Sequence, residues 1–343
     1  MSNSPFLSIE TFRQAFLAGL EDLLEQPGFG VFILGLANAT FDPEIHAALK
    51  SPLQYRFDQL AEICRESLSG GREVPTAPDD LVVFLKLMAI GFDGVALTEF
   101  RRTDEWELQF NHIRAFRPAR MTGEKVTGIH RPFDPRGFHF NKPFLRKEVF
   151  WEGELHGLEV ELLYNKFPFA QFHGLLVPER REREPQYLSH LYHLYIWNLT
   201  EELGGCLPGV GFGYNSYGAF ASVNHLHFQM FVREQSLPLE AEQWEHSGGE
   251  TPYPVDCLHF GSAPEAWAYL NELHREGISY NLIYRPGCLY CLPRRKQGCY
   301  EHAPWTTGYA WYEMAGGVTT TNRADYDNFD AAVIDAELAK LQL

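Results

Sequence analysis

Ser222-Val223-Asn224-His225-Leu226-His227-Phe228-Gln229-Met230-Phe231 is the stretch on which the reading of the chain turns. Apolar and polar residues alternate along it with a period of two, the pattern of a strand with one buried face. Leu226, Phe228 and Met230 are expected to face a core. His225, His227 and Gln229, at i, i+2 and i+4, are expected to stand in a row on the opposite face. Two imidazoles and a carboxamide in line are costly to arrange unless they meet a ligand.

Outward from this stretch, strands and single helices alternate. Val210–Asn215 and Ala219–Gln229 read as strands joined by a Gly-rich link, and Glu184–Leu203 as a helix stopped by Gly204-Gly205. Upstream, Ala96–Arg101 and Trp106–Arg114 flank a turn at Thr103-Asp104-Glu105, and Glu148–Glu152 and Leu158–Tyr164 form a second pair. Downstream, Pro264–Gly277 reads as a helix, and Ser279–Tyr284 and Leu289–Leu292 as a hairpin around Arg285-Pro286-Gly287. Tyr309–Met314 reads as a last strand and Phe329–Leu341 as a terminal helix. The first 90 or so residues are mainly helical. Ser8 is placed to cap Ile9–Leu24, Asp42-Pro43-Glu44 to start a helix ended by Ser69-Gly70-Gly71, and Asp79-Asp80 to cap Leu81–Ile90. This order implies an α+β fold with an antiparallel sheet, not a doubly wound one. The boundary falls between a helical region, 1–93, in which no chemistry is apparent, and a catalytic domain, 94–343.

Lys and Arg total 29 against 45 Asp and Glu, a formal charge of −16. Such a chain does not attract nucleic acid non-specifically, and an anionic substrate would need local cations to overcome the global field. No basic-then-apolar leader opens the sequence, and no apolar run approaches the about 18 residues that span a bilayer. Six Cys in 343 residues do not suggest a disulfide scaffold. A cytoplasmic location and no membrane partner are expected.

A neutral imidazole, with an ordinary pKa of about 6.5, is a competent nucleophile at neutral pH. Attack on an α-phosphorus would give a nucleotidyl-histidine and split one hard transfer into two in-line displacements. The Gln229 carboxamide can donate to a non-bridging phosphoryl oxygen. On the residues alone three readings stay open: catalysis by the His pair, zinc ligation completed by a third ligand from elsewhere, or a polar strand face.

Gly218–Gln229 resembles the active-site strand of the histidine-triad superfamily's transferase branch. That branch comprises galactose-1-phosphate uridylyltransferase, the dinucleoside tetraphosphate phosphorylases and the GDP-hexose phosphorylases, and Asn224–Gln229 is most similar to the last of these. The resemblance implies that His227 is the nucleophile, that His225 supports it, that Gln229 contacts the phosphoryl group and that Ser222 contacts phosphate. Leu162–Pro168 with His173 and Leu175–Pro178 is similar to the superfamily's nucleoside-binding hairpin, where Asn165 would meet ribose hydroxyls. Its Asn165-Lys166-Phe167-Pro168 wording leans towards the dinucleoside tetraphosphate phosphorylases. Likeness runs from about Phe138 to Tyr326. The fold implied is an antiparallel histidine-triad-like sheet in two divergent halves with flanking helices, although no internal repeat is visible.

Hydrolases of the superfamily usually carry a third His where this chain has Gln229. A neutral amide cannot relay a proton as His does, so the resemblance favours transfer to phosphate over hydrolysis. The expected activity is a phosphorylase-type nucleotidyl transfer from a nucleoside-diphosphate sugar or dinucleoside polyphosphate. A superfamily hydrolase and a non-catalytic nucleotide-binding module are the alternatives. Nucleotide and phosphate are the expected partners, with a homodimer left open.

Lys142, Arg146, Lys166, Arg294, Arg295 and Lys296 are the cations nearest the matched segments, with Lys142, Lys166 and Asn215 taken as substrate-binding candidates. Phe138 and Phe140 are candidates for base contact. No cofactor is expected. Cys288, Cys291, Cys299 and His302 have the ligand types of a zinc site, but a strand over Leu289–Leu292 would send Cys288 and Cys291 to opposite faces.

Overall fold

The computed structural model describes residues 4–117, 126–306 and 308–343. Local signals start the first and third N-terminal helices where the sequence places them, whereas the helix expected to be capped by Asp79-Asp80 begins earlier, at Pro78, with both carboxylates inside its first turn. The Ser8 hydroxyl accepts from the Thr11 N–H and begins α1 (Ile9–Glu25), and the Asp42 carboxylate accepts from Glu44 and Ile45 ahead of α3 (Pro43–Ser69). Between them α2 (Phe29–Ala39) is buried almost all round, because α1, α3 and α4 (Pro78–Ile90) pack about it.

The rest of the chain builds two sheets. β1 (Glu99–Thr103) and β2 (Trp106–Phe110) form the expected hairpin, followed by a short α5 (His112–Phe116) where a longer strand is predicted. The main sheet comprises β3 (Val149–Leu155), β4 (Leu158–Tyr164), β5 (Gly174–Pro178), β6 (Val210–Asn215), β7 (Phe228–Val232), β8 (Leu258–Phe260), β9 (Ser279–Arg285) and β10 (Cys288–Arg294). Its order is β3-β4-β5-β7-β6-β9-β10-β8, with every pair antiparallel. The expected antiparallel α+β architecture is therefore present.

Period-two alternation sorts the two faces. Met230, Val232, Leu282 and Cys291 join the core that holds the N-terminal helices, α6 (His190–Gly204) and α7 (Ala263–Glu276). Phe231, Ile283 and Leu292 join a second core with β2, the short α8 (Trp311–Met314), β11 (Gly317–Thr320) and α10 (Ala331–Ala339), while α9 (Arg323–Asn328) covers β2. No helix among the described residues is long and apolar enough to cross a membrane.

Three further expected elements are corrected. The strand predicted over Ala219–Gln229 is paired only from Phe228. The chain bends over Val223–His225, and Leu226 and His227 bond to a loop instead of a strand: the Leu226 N–H donates to the Glu184 carbonyl and the His227 N–H to Gln186 Oε1. That use of residues 184–186 also delays the helix predicted from Glu184, which starts at His190 after its Ser189 cap. Tyr309–Met314 is not a strand. The Glu313 carboxylate accepts the Ala310 N–H and Asn215 Oδ1 accepts the Trp311 N–H, closing the turn of α8, and the last strand is β11, parallel to β2.

Candidate active site

Leu226, Phe228 and Met230 fill the core as the alternation requires, and His225 and His227 are buried on the other side. Gln186, which periodicity does not single out, clamps the His227 backbone. Its Oε1 accepts the His227 N–H at 2.9 Å, and its Nε2 donates to the His227 and Asn215 carbonyls at 3.2 and 3.0 Å. Gln186→Ala is expected to leave these groups short of partners and to destabilise the fold by about 1–3 kcal/mol. A urea-unfolding midpoint unchanged from the wild type would contradict this.

His227 Nδ1 lies 2.8 Å from the His225 backbone carbonyl. A carbonyl only accepts, so Nδ1 carries the proton and Nε2 holds the lone pair. Burial lowers the His227 pKa to about 4 against the opposing pull of that hydrogen bond, so the ring is neutral at pH 7. His225 therefore meets the His227 ring through its backbone carbonyl, not through its own ring. The His225 imidazole instead accepts the Phe140 N–H at Nδ1, 3.1 Å away, and packs against Phe133 and Phe140.

Gln229 sits on β7 opposite Leu175 and Gly213. Its Oε1 receives the Trp311 indole N–H at 2.9 Å and lies 3.0 Å from His173 Nε2. An indole N–H only donates, which fixes the amide oxygen on that side and turns Nε2 towards the cavity. His173 Nδ1 accepts the Phe169 N–H, so the His173 proton is on Nε2 and also points at Gln229. Burial lowers the His173 pKa to about 3, keeping it neutral. Asn215 is set in the same way, its Oδ1 accepting from Asn281 Nδ2 and the Trp311 backbone N–H at 2.7 and 2.8 Å.

His227, Gln229, Asn215, Asn165, Lys166 and Ser222 line one cavity of about 500 Å³, a volume that suits a nucleotide-sized ligand. Phe138, Phe140 and Phe144 form an aromatic wall at one end, with Phe140 edge-on to His227 at 5.1 Å between centroids. Asn165 closes a turn by accepting the Phe167 N–H, and its carbonyl accepts from Asn38 of α2. Lys166 is paired with Asp80 of α4 at 2.6 Å. The helical region, read as free of chemistry, thus reaches the cavity through Asn38 and Asp80.

Lys142 is not in the cavity lining; it precedes the turn Pro143–Glu148. Arg146 pairs with Glu152 at the surface, Arg294 is fully buried against Asn281, Tyr300 and Tyr309, and Arg295 is exposed. Among the described residues the arginines lining the cavity are Arg114 and Arg117, neither of which the sequence singles out. Arg114 is held over the Phe169 ring by the Phe167 carbonyl and by Glu313, 3.6 Å away. Cys288 and Cys291 pack into the two different cores, on opposite faces of β10. No group of three or more His, Cys, Asp or Glu side chains suited to a metal occurs among the described residues.

An antiparallel sheet that presents a His-x-His-x-Gln segment to such a cavity agrees with the arrangement that the resemblance to the histidine-triad superfamily implies. A family model described as GDPGP1-like, N-terminal domain, matches residues 105–231. GDP-D-glucose phosphorylase 1 of Danio rerio is 32% identical over 133 residues, 39% of this chain and 38% of that protein. GDP-L-galactose phosphorylase 2 of Arabidopsis thaliana is 28% identical over 139 residues, 35% of this chain and 32% of that protein. The matches to these curated relatives thus span under half of their length. The crystal structure of yeast Ap4A phosphorylase in complex with Ap4A has the same fold, with a TM-score of 0.52, 17% identity, and coverage of 78% of this chain and 98% of that one. Residues 105–231 thus resemble the GDP-hexose phosphorylases in sequence, and the chain shares its fold with the Ap4A phosphorylase.

Proposed function

We propose that this chain is a phosphorylase-type nucleotidyltransferase that uses a GDP-hexose as donor and phosphate as acceptor. The observation that carries the reading is the tautomer of His227, whose bare Nε2 belongs to a neutral ring lining the cavity beside the Gln229 amide. Nε2 attacks the α-phosphorus, the bond to the bridging oxygen breaks, and hexose 1-phosphate leaves. The positive charge on the nucleotidylated ring is shared with Nδ1–H, which stays on the His225 carbonyl. Inorganic phosphate then attacks the same phosphorus, the P–N bond breaks, and GDP departs with His227 restored. Ser222, Lys166 and Arg114, all in the lining, are the groups to meet phosphoryl oxygens, and Asn165 to meet the ribose. The family model spans both Asn165 and His225–Gln229, and the names of the curated relatives support a GDP-hexose over a dinucleoside polyphosphate.

Turnover of GDP-glucose measured with and without phosphate tests this reading. Strict phosphate dependence with GDP as product is expected, and GMP release at one rate in both conditions would overturn it. The pH dependence follows from burial. His227 stays neutral until the pH nears about 4, so nucleotidyl transfer to it should hold its rate from pH 8 to about 5 and then fall. The measurement is best made in Glu148→Gln, since burial raises the carboxyl of Glu148, also in the cavity lining, to about 7. An acid limb centred on about 6.5, the ordinary imidazole value, would contradict the assignment.

A further inference from the structure

Trp311 holds both carboxamides of the site. Its indole N–H takes Gln229 Oε1 at 2.9 Å and its backbone N–H takes Asn215 Oδ1 at 2.8 Å. Each amide therefore has its oxygen occupied on the protein side and its NH2 left towards the cavity. Such a wall only donates, which suits the anionic oxygens of a phosphoryl group in flight.

The indole itself is fixed. It is fully buried, and the Phe231 ring stacks on it at 4.7 Å and 17°. The ring also meets the bare backbone of Gly213, where a Cβ would lie 2.3 Å from it. Gly213 is also the register partner of Gln229, so the same point of the sheet sets the height of the indole and of the amide.

We propose that Trp311 is a positioning residue that makes Gln229 a phosphoryl donor and thereby sets the choice of acceptor; the inference rests on the transferase reading above. Without the indole N–H, only His173 holds the amide oxygen, and the carboxamide can turn over. Its oxygen would then face the cavity, repel the phosphoryl oxygens and accept from a water beside the P–N bond. Loss of Trp311 should thus slow nucleotidyl transfer to His227 and raise the share of intermediate lost to water.

Trp311→Phe keeps a ring and the backbone bond to Asn215 but removes the indole donor. Its kcat is expected to fall about 10- to 100-fold with the donor KM changed less than about threefold, as for loss of one preorganised donor. The fraction of turnover ending in GMP should rise. The same substitution in a Gln229→Ala background should change kcat by less than about threefold, because the path through Gln229 is already gone. Benzothienylalanine in place of the Trp311 side chain preserves shape without the N–H and gives the same comparison if Trp311→Phe does not fold. Equal fold-losses in both backgrounds, or an unchanged GMP fraction, would overturn the inference while leaving the transferase reading intact. A wild type that forms no nucleotidyl adduct would remove both.

Discussion

Replacing His227 with alanine is expected to lower turnover by about four orders of magnitude or more, the scale seen when a covalent nucleophile is removed. No other described ring near the cavity is set up to take its place. His225 has its Nδ1 lone pair committed to the Phe140 N–H, and His173 has its Nε2 proton directed at Gln229 and its Nδ1 bonded to Phe169. His225→Ala should cost far less, because the carbonyl that fixes the His227 tautomer belongs to the backbone and survives the substitution. Steady-state kinetics of the two variants separate the roles. Equal losses would mean that the His225 ring, not its carbonyl, supports the reaction.

Phe16→Ala is the substitution with the largest expected effect on stability, about 3–5 kcal/mol. The ring lies on α1 but is enclosed by the sheet. It meets Tyr164, Phe150 and Phe172 at 4.8, 5.2 and 5.4 Å between centroids, and the Tyr164 hydroxyl donates to its carbonyl at 2.6 Å. Tyr164 is itself in the cavity lining, beside Asn165. A hole at Phe16 therefore opens the contact between helices and sheet at the point that supports the segment carrying Asn165. Urea unfolding should show the helical region and the sheet lost together at a lower midpoint. A separate early transition of the helices, with the sheet's midpoint unchanged, would contradict this.

Features set by neighbours in sequence were legible. Ser8 and Asp42 cap helices because a short polar side chain there reaches N–H groups two or three residues on, and the hairpin over 279–294 follows from turn residues between alternating runs. The face of His225, His227 and Gln229 was legible for the same reason. Alternation is silent, however, on what the backbone bonds to; Leu226 and His227 keep it without a neighbouring strand, after a bend over Val223–His225.

Partners far along the chain left no local mark. Gln186 and Trp311 lie 41 and 82 residues from His227 and Gln229, the residues they hold. Arg114 reaches the cavity only because Phe167 and Glu313, also distant in sequence, hold it there. Side chains of this kind are buried polar partners, and neither period nor spacing distinguishes them from ordinary surface residues. The ion pair of Lys166 with Asp80 is illegible for the same reason, since it joins the segment after β4 to a helix that periodicity and capping describe only as a helix.

The central requirement is a covalent bond between His227 and a nucleotide. Intact-protein mass spectrometry after incubation with GDP-glucose and no phosphate tests it most directly. One GMP unit is expected per chain, on the peptide that carries His227, and it should be discharged as GDP when phosphate is added. Full conversion of the donor with no adduct, or an adduct on any other residue, would contradict the proposed chemistry.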